Sequence, residues 1–339
     1  MGKMKLIKRC LILGLLAISL SACSNKEVEK TGTKNVVKDD EYVVKMSYNS
    51  GLCQAPFQMA LELGYFEKEG LKYELIKSEG YSSDLIASGK ADTFTSMLPS
   101  VIQQIDNGVD VNMTVGVHTG CLKVVAKADS GINKIEDLKG KKVGVPGLAT
   151  PPAIITYRAL AAKGIGTTPE NMQVEFLVFT PSELQLALEE GRVDAIAASD
   201  PIGAIVAKNG AGKVILDTTV DEEYKNEFCC VSLLRPDFVK EHPKLAEKYT
   251  KALMKGAKYV EEHPEEVAKF QIDNKLVSND DLEMNIALLK SYNFISSIDG
   301  GKEALKRNFK DLQGLKLISQ DLDIDKIVNK VYVEFKGLK

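Results

Sequence analysis

Ile135-Glu-Asp-Leu-Lys-Gly-Lys-Lys-Val-Gly-Val145 reads as a short helix running into a strand, at the point where an earlier strand–helix series starts over. Upstream, residues 43–49 form a β-rich run. Residues 54–64 read as a helix, with Ala55, Met59, Leu61 and Leu63 apolar and Gly64 as its stop. Residues 71–77 predict a strand and 82–88 a short helix opened by two serines, which cap well. A strand at 91–95, a helix at 99–107 with proline near its first position, and a strand at 111–119 complete the first series. Downstream, the second series predicts a helix at 151–163, a strand at 173–179, a helix at 181–190, a strand at 193–199 and a helix at 201–209. Strands joined by helices at this spacing imply βαβ units and largely parallel sheets, hence an α/β class. Some 300 residues follow residue 40, which suggests two lobes rather than one core. After a strand at 228–234 the chain is nearly all helix: 243–262, 264–274, 280–292, 302–312 and 324–335. A helical tail this long is expected to dock on an existing lobe.

The start of the chain speaks to its compartment. Lys3, Lys5, Lys8 and Arg9 form a basic leader, and residues 10–20 are an eleven-residue apolar run. That run is too short for a membrane-spanning helix, which needs about 20 apolar residues, and the order of features is that of a secretory signal. Its end, Leu20-Ser21-Ala22-Cys23, resembles the lipobox of bacterial lipoproteins, which implies lipid attachment at Cys23. Such a lipid (palmitate, for instance) anchors a chain without spanning the membrane. Residues 1–22 are expected to be the signal peptide and 23–40 a flexible polar tether with almost nothing to bury. Losing residues 1–22 removes four basic side chains and no acidic one, taking the formal charge from −3 to −7. No basic stretch of the kind used for nucleic acid remains. Tryptophan is absent, so ring stacking would fall to Tyr or Phe.

Several strings resemble one family across most of the chain after the signal. Leu63-Gly-Tyr-Phe-Glu-Lys-Glu-Gly-Leu71, Gly89-Lys-Ala-Asp92, the Ile135–Val145 stretch, Ala187-Leu-Glu-Glu-Gly-Arg-Val-Asp-Ala195, Glu241-His-Pro243 and Glu262-His-Pro264 are similar, in order, to strings of sulfonate-, taurine- and nitrate-type solute-binding proteins. The group also resembles proteins that bind or make the pyrimidine precursor of thiamine. The resemblance implies a two-lobe type II periplasmic-binding-protein fold with the ligand cleft between the lobes and the helical tail on lobe one. Lobe one would be 41–120 plus 232–339, and lobe two 121–231. It implies a monomeric solute receptor on the outer face of the cytoplasmic membrane that closes by a hinge motion and delivers to an ABC permease and its ATPase.

In open α/β sheets, ligands bind beyond the carboxyl ends of strands, and the loops there supply the candidates. These are Ser50, Gly51, Cys53 and Gln54 after the first strand, Gly80 and Tyr81 after the second, and Ser96 and Met97 after the third. His118, Thr119, Gly120 and Cys121 stand at the crossing to lobe two. Thr150 and Pro151 open a helix whose turn resembles the family's anion-receiving turn, and Asp200 follows a later strand. Cys229 and Cys230 lie on the returning strand. No Arg or Lys is placed at the cleft, since Arg158 is mid-helix and Lys123 lies on a crossing strand. That weighs against a strongly charged anion. A sulfonate, nitrate or taurine-like solute, a heteroaromatic precursor and a metal-containing solute stay open.

The chain has six cysteines. With Cys10 discarded and Cys23 lipidated, the other four fall in cleft or crossing segments and none in the helical tail. Three readings stay open: small buried apolar residues; disulfides joining Cys229 or Cys230 to Cys121 or Cys53, allowed outside the cytoplasm; or thiolates holding a soft metal or iron–sulfur cluster, supplemented by His118. A regular strand points only one of Cys229 and Cys230 to a given face, so a fourth sulfur would need a local bulge. His242 and His263 precede prolines at helix starts and are assigned no chemistry.

No cofactor is certain, and none of the phosphate-loop, serine-hydrolase or zinc-protease strings occurs. Fungal relatives of the resembled family make the thiamine pyrimidine with a cysteine-rich iron motif, to which Cys229-Cys230 is faintly similar. The secretion signal argues against that chemistry, so the expectation is a binder and not an enzyme.

Overall fold

A computed structural model describes residues 37–78 and 84–338. The signal segment, Cys23, most of the tether, Gly80 and Tyr81 lie outside the described residues.

Among the described residues, ten strands form two five-stranded sheets. β1 (Val43–Tyr48), β2 (Lys72–Lys77), β3 (Thr93–Met97), β4 (Asn112–Thr119) and β10 (Phe228–Leu234) make the first, in the order β2-β1-β3-β10-β4. β5 (Leu122–Lys127), β6 (Lys142–Val145), β7 (Glu175–Val178), β8 (Ala195–Ser199) and β9 (Gly212–Asp217) make the second, in the order β7-β6-β8-β5-β9. β1 runs parallel to β2 and β3, and β6 parallel to β7 and β8. The crossing strands reverse the direction: β5 is antiparallel to β8 and β9, and β10 to β3 and β4. The sheets are therefore mixed at the strands that carry the chain between lobes.

β10 explains its own position. Every residue of Phe-Cys-Cys-Val-Ser-Leu-Leu is buried, as suits a strand with neighbours on both sides and helices on both faces. β2, at the edge, has no fully buried residue. Because β10 belongs wholly to the first sheet, the chain returns from lobe two between Asp217 and Phe228, earlier than the expected boundary at residue 231. β9 was not foreseen. Its Gly-Lys-Val-Ile-Leu-Asp is a short, half-buried edge strand whose pairing with β5 carries the information.

The tail packs on the first sheet. In the helix Pro243–Glu262, Leu245, Ala246, Tyr249, Ala252, Leu253, Gly256, Ala257 and Val260 repeat at helical spacing and are all buried. This stripe faces the helix Ala55–Glu62, and Gly256 permits the approach: a Cβ there would lie 2.0 Å from the Pro56 carbonyl oxygen. Tyr249 stacks on Phe66 at 5.5 Å between centroids. Burying each such ring contributes on the order of 1.5–3 kcal/mol. Helix Ile298–Gly314 lies against β4, where Gly301 and Gly116 nearly touch.

The tether ends sooner than expected. Asp39 Oδ1 accepts from His242 Nδ1 at 2.7 Å, and that ring lies 3.9 Å from the Tyr42 ring. His242, assigned no chemistry from sequence, docks the first of the described residues.

Candidate functional site

Between the lobes lies a cleft of about 690 Å³. Ser50, Gly51, Met97, Thr150, Pro151 and Asp200, all singled out from the sequence, line it. Ser50 and Gly51 sit in the turn before the helix Ala55–Glu62, where Gly51 donates its N–H to Leu276 O at 2.7 Å. Thr150 precedes the helix Pro151–Ala162, and its hydroxyl donates to Gly147 O at 2.7 Å instead of capping the helix. Pro151 and Pro152 then supply no N–H groups. The expected anion-receiving turn therefore lacks the two donors that an anion at a helix start would use first.

The sequence reading missed one wall. Ser100, Gln103, Gln104 and Asn107 all line the cleft. They recur at i, i+3, i+4 and i+7, opposite the buried Leu98, Val101, Ile102 and Ile105 of the helix Leu98–Asp106. That polar stripe was visible as periodicity. The Leu276-Val277-Ser278 turn also lines the cleft and had no local signal. Among the described residues, no Lys or Arg lines the cleft.

Asp200 touches the cleft, but its carboxylate points inward. Oδ2 is 2.7 Å from Lys123 Nζ and accepts from the Tyr292 hydroxyl at 3.2 Å, while Oδ1 is buried without a partner. Lys123 also reaches Asp217 at 3.2 Å. Burial pushes the Asp200 carboxyl up to about 6, with Lys123 opposing it. For Lys123, burial acts to lower the ammonium and Asp200 outweighs it, so its pKa lies above the usual lysine range.

Gln54, Ser96, His118, Thr119, Gly120 and the four cysteines do not line the cleft; they are buried beneath it. Gln54 donates to Thr95 O at 3.4 Å. Placing them in the cleft by their loops overlooked how tightly β10 fits between β3 and β4, which closes that floor.

The four thiols nonetheless converge. The sulfurs of Cys53, Cys121 and Cys230 lie within 4.8 Å of one another, and Cys229 Sγ is 3.1 Å from Cys121 Sγ. The register explains the fourth sulfur: Phe228 opposes Thr119 but Cys230 opposes His118, a one-residue bulge at Cys229. Cys121 holds φ 82 and Gly120 φ 84, so the crossing turns through two left-handed residues. The two crossings touch there, since Leu122 N donates to Thr218 Oγ1 at 2.9 Å.

Hydrogen bonding from Cys121 and Cys230 holds the Cys53 thiol well below the usual range. The same two thiols hold Cys229 down to about 5. Burial pushes Cys121 and Cys230 well up. Burial acts against a charged His118 ring, but the Cys53 and Cys229 sulfurs outweigh it and raise that histidine.

Residues 54–267 match the NMT1/THI5 like family. The chain is 25% identical over 290 residues to the putative aliphatic sulfonates-binding protein of Bacillus subtilis (strain 168), covering 83% of this chain and 84% of that one. It is 25% identical over 264 residues to the formylaminopyrimidine-binding protein of Halalkalibacterium halodurans, covering 76% of each. The crystal structure of the periplasmic aliphatic sulphonate binding protein from Escherichia coli superposes with a TM-score of 0.70 at 16% identity, covering 88% of this chain and 94% of that one. The chain belongs to the NMT1/THI5-like family, and its architecture is the two-lobed periplasmic-binding fold.

Proposed function

We propose that this NMT1/THI5-like chain is the extracytoplasmic, lipid-anchored solute receptor of an ABC-type importer, that it performs no catalysis, and that its lobes close over a small uncharged organic solute. The cleft carries this reading. Ser100, Gln103, Gln104 and Asn107 give it a polar stripe, Leu52, Met97, Pro146, Ile202 and Val277 give it apolar surface, and among the described residues no cationic side chain lines it. An amide-rich stripe together with apolar surface suits a flat molecule with hydrogen-bonding edges. A sulfonate or nitrate would meet neither a guanidinium nor the first N–H groups of the Pro151–Ala162 helix. Of the two relatives' named ligands, the formylaminopyrimidine is the kind this lining favours.

The anchor rests on Leu20-Ser21-Ala22-Cys23, behind a basic leader and an apolar core. Mass spectrometry of the N-terminal peptide should find a lipidated Cys23, and Cys23→Ala should release the chain from the membrane fraction. For the solute, calorimetric titration with substituted aminopyrimidines should give saturable binding that taurine, alkanesulfonates and nitrate do not. Tight binding of an anion with none of the neutral rings would overturn the choice of solute while leaving the receptor reading in place.

A further inference from the structure

We propose that Cys53, Cys121, Cys230 and His118 form a buried site for one thiophilic d10 metal ion, zinc(II) or copper(I), beneath the floor of the solute cleft and separate from it. Three independent observations point to it.

The first is the spacing. Three sulfurs from three separate segments (the turn after β1, the first crossing and the return strand) lie within 4.8 Å of one another. One ion with sulfur bonds of about 2.3 Å would hold its sulfurs roughly 3.8 to 4.6 Å apart. A spacing this short suits one ion rather than a [4Fe–4S] cluster, in which each cysteine sulfur takes a separate iron.

The second is His118. It is 0% exposed, and its Nδ1 lies 2.9 Å from Thr119 O, to which the ring N–H donates. Nε2 is buried with no hydrogen-bond partner. A ring whose Nδ1 is tied to a backbone carbonyl, with Nε2 left over, has the tautomer and the fixed orientation of a metal-binding histidine. Tyr292 and Phe294, with centroids 5.5 and 5.0 Å away, hold the ring in place. Leaving that nitrogen unpaired costs about 1–3 kcal/mol; it stands outside the three sulfurs that lie within 4.8 Å of one another, on the Cys53 side of them, and approaches the ion from there as the fourth ligand.

The third is backbone strain. Cys121 occupies the left-handed region at φ 82, where glycine is the cheap residue and any other costs about 1–2 kcal/mol. The preceding residue at this crossing is a glycine. What cysteine adds at the second position is a sulfur aimed at Cys53 and Cys230. The bulge in β10 serves the same end, turning Cys229 toward the Cys121 sulfur at 3.1 Å, where it hydrogen-bonds to a ligand rather than binding the ion.

On binding, each coordinating thiol gives its proton to solvent and His118 binds through the Nε2 lone pair; no electron is transferred. The ion then ties the turn after β1 to both strands that enter and leave the hinge.

The test uses the full-length chain, kept anaerobic, reduced with a phosphine and stripped with chelator. Cobalt(II), standing in for zinc, should bind at one equivalent with thiolate charge-transfer bands and the intense visible bands of a tetrahedral ion. Zinc(II) should bleach them, and competition with copper(I) decides which ion is preferred. Cys53→Ser, Cys121→Ser, Cys230→Ser and His118→Ala should each weaken binding by more than the roughly 10–100-fold that outer-shell partners carry, and Cys229→Ser by only that amount. The wild-type spectrum stands whether or not any variant folds. Three results would overturn the site: no stoichiometric uptake by a chain in which Cys53, Cys121, Cys229 and Cys230 are all reduced, uptake that survives in a Cys53/Cys121/Cys230→Ser chain, or a Cys121–Cys229 disulfide in protein taken directly from the cell envelope.

Discussion

Arg158 and Glu227 meet in a two-pronged ion pair, with Nη1–Oε1 and Nη2–Oε2 both at 2.7 Å, and Asp311 takes the same guanidinium at 2.7 Å. Arg158 belongs to a lobe-two helix, Glu227 to the second crossing, and Asp311 to the tail helix Ile298–Gly314. The network thus fastens lobe two to the second crossing and the tail.

Removing one partner strands the other as an uncompensated buried charge, which typically costs 3–5 kcal/mol. Arg307 also reaches Glu227, at 3.1 Å, and cushions the loss. Arg158→Met should therefore lower the free energy of unfolding in urea by about 3 kcal/mol. A change below about 1 kcal/mol would show that the network contributes orientation rather than stability.

Gly256 faces the Pro56 carbonyl with no room for a methyl group, because its Cβ would lie 2.0 Å from that oxygen. The opposing atom belongs to backbone, not to the end of a flexible side chain, so it does not step aside cheaply. Gly256→Ala should cost about 1–3 kcal/mol, although alanine is the better helix former. A more stable variant in thermal melts would mean that the helices separate freely.

Asp200 gives a pH dependence. Its folded pKa of about 6 lies above the roughly 3.9 of an unfolded aspartate, so the native state takes up this proton more readily. The contribution is full below about pH 4 and is lost as pH rises through about 6, up to roughly 3 kcal/mol in all. Measured against Asp200→Asn in urea at several pH values, the wild type should lose stability between about pH 4 and 6 and stay level above. A flat difference across that window would show that Lys123 and Tyr292 fully compensate the burial.

The left-handed Cys121 separates backbone from side chain. In metal-free buffer both Cys121→Gly and Cys121→Ala lack the sulfur, but only glycine accepts φ 82 without strain. The glycine variant should be the more stable by about 0.5–1 kcal/mol. If alanine were the more stable in chemical denaturation, the crossing would be free to relax.

The strands and helices that repeat a buried period were legible in the chain, and so was the restart at Ile135. The buried stripe of the Pro243–Glu262 helix reads directly as residues 3, 4 and 7 apart. The cleft was half legible. Ser50, Thr150 and Asp200 follow strands and could be named from that rule alone, whereas Leu276 reaches the cleft only because its carbonyl takes the Gly51 N–H. The cysteines were expected in the cleft; in the structure three of their sulfurs lie within 4.8 Å of one another, buried beneath it. Their convergence depends on strand order, and their burial depends on β10 filling the gap between β3 and β4. Neither is encoded within any one segment.

That insertion of β10 orders events in time. A chain that emerges N-terminus first has every strand of its second sheet available once Asp217 is out, since β5 to β9 are contiguous in sequence. The first sheet waits. Until Leu234 has appeared, β3 and β4 present unpaired edges, the kind that recruits other chains. Lobe two can thus close as a unit while its host stands open, and the last strand to arrive is the one that seals the floor and brings Cys229 and Cys230 to sulfurs already in place. The vulnerable interval in the life of this protein lies between the emergence of β4 and that of β10.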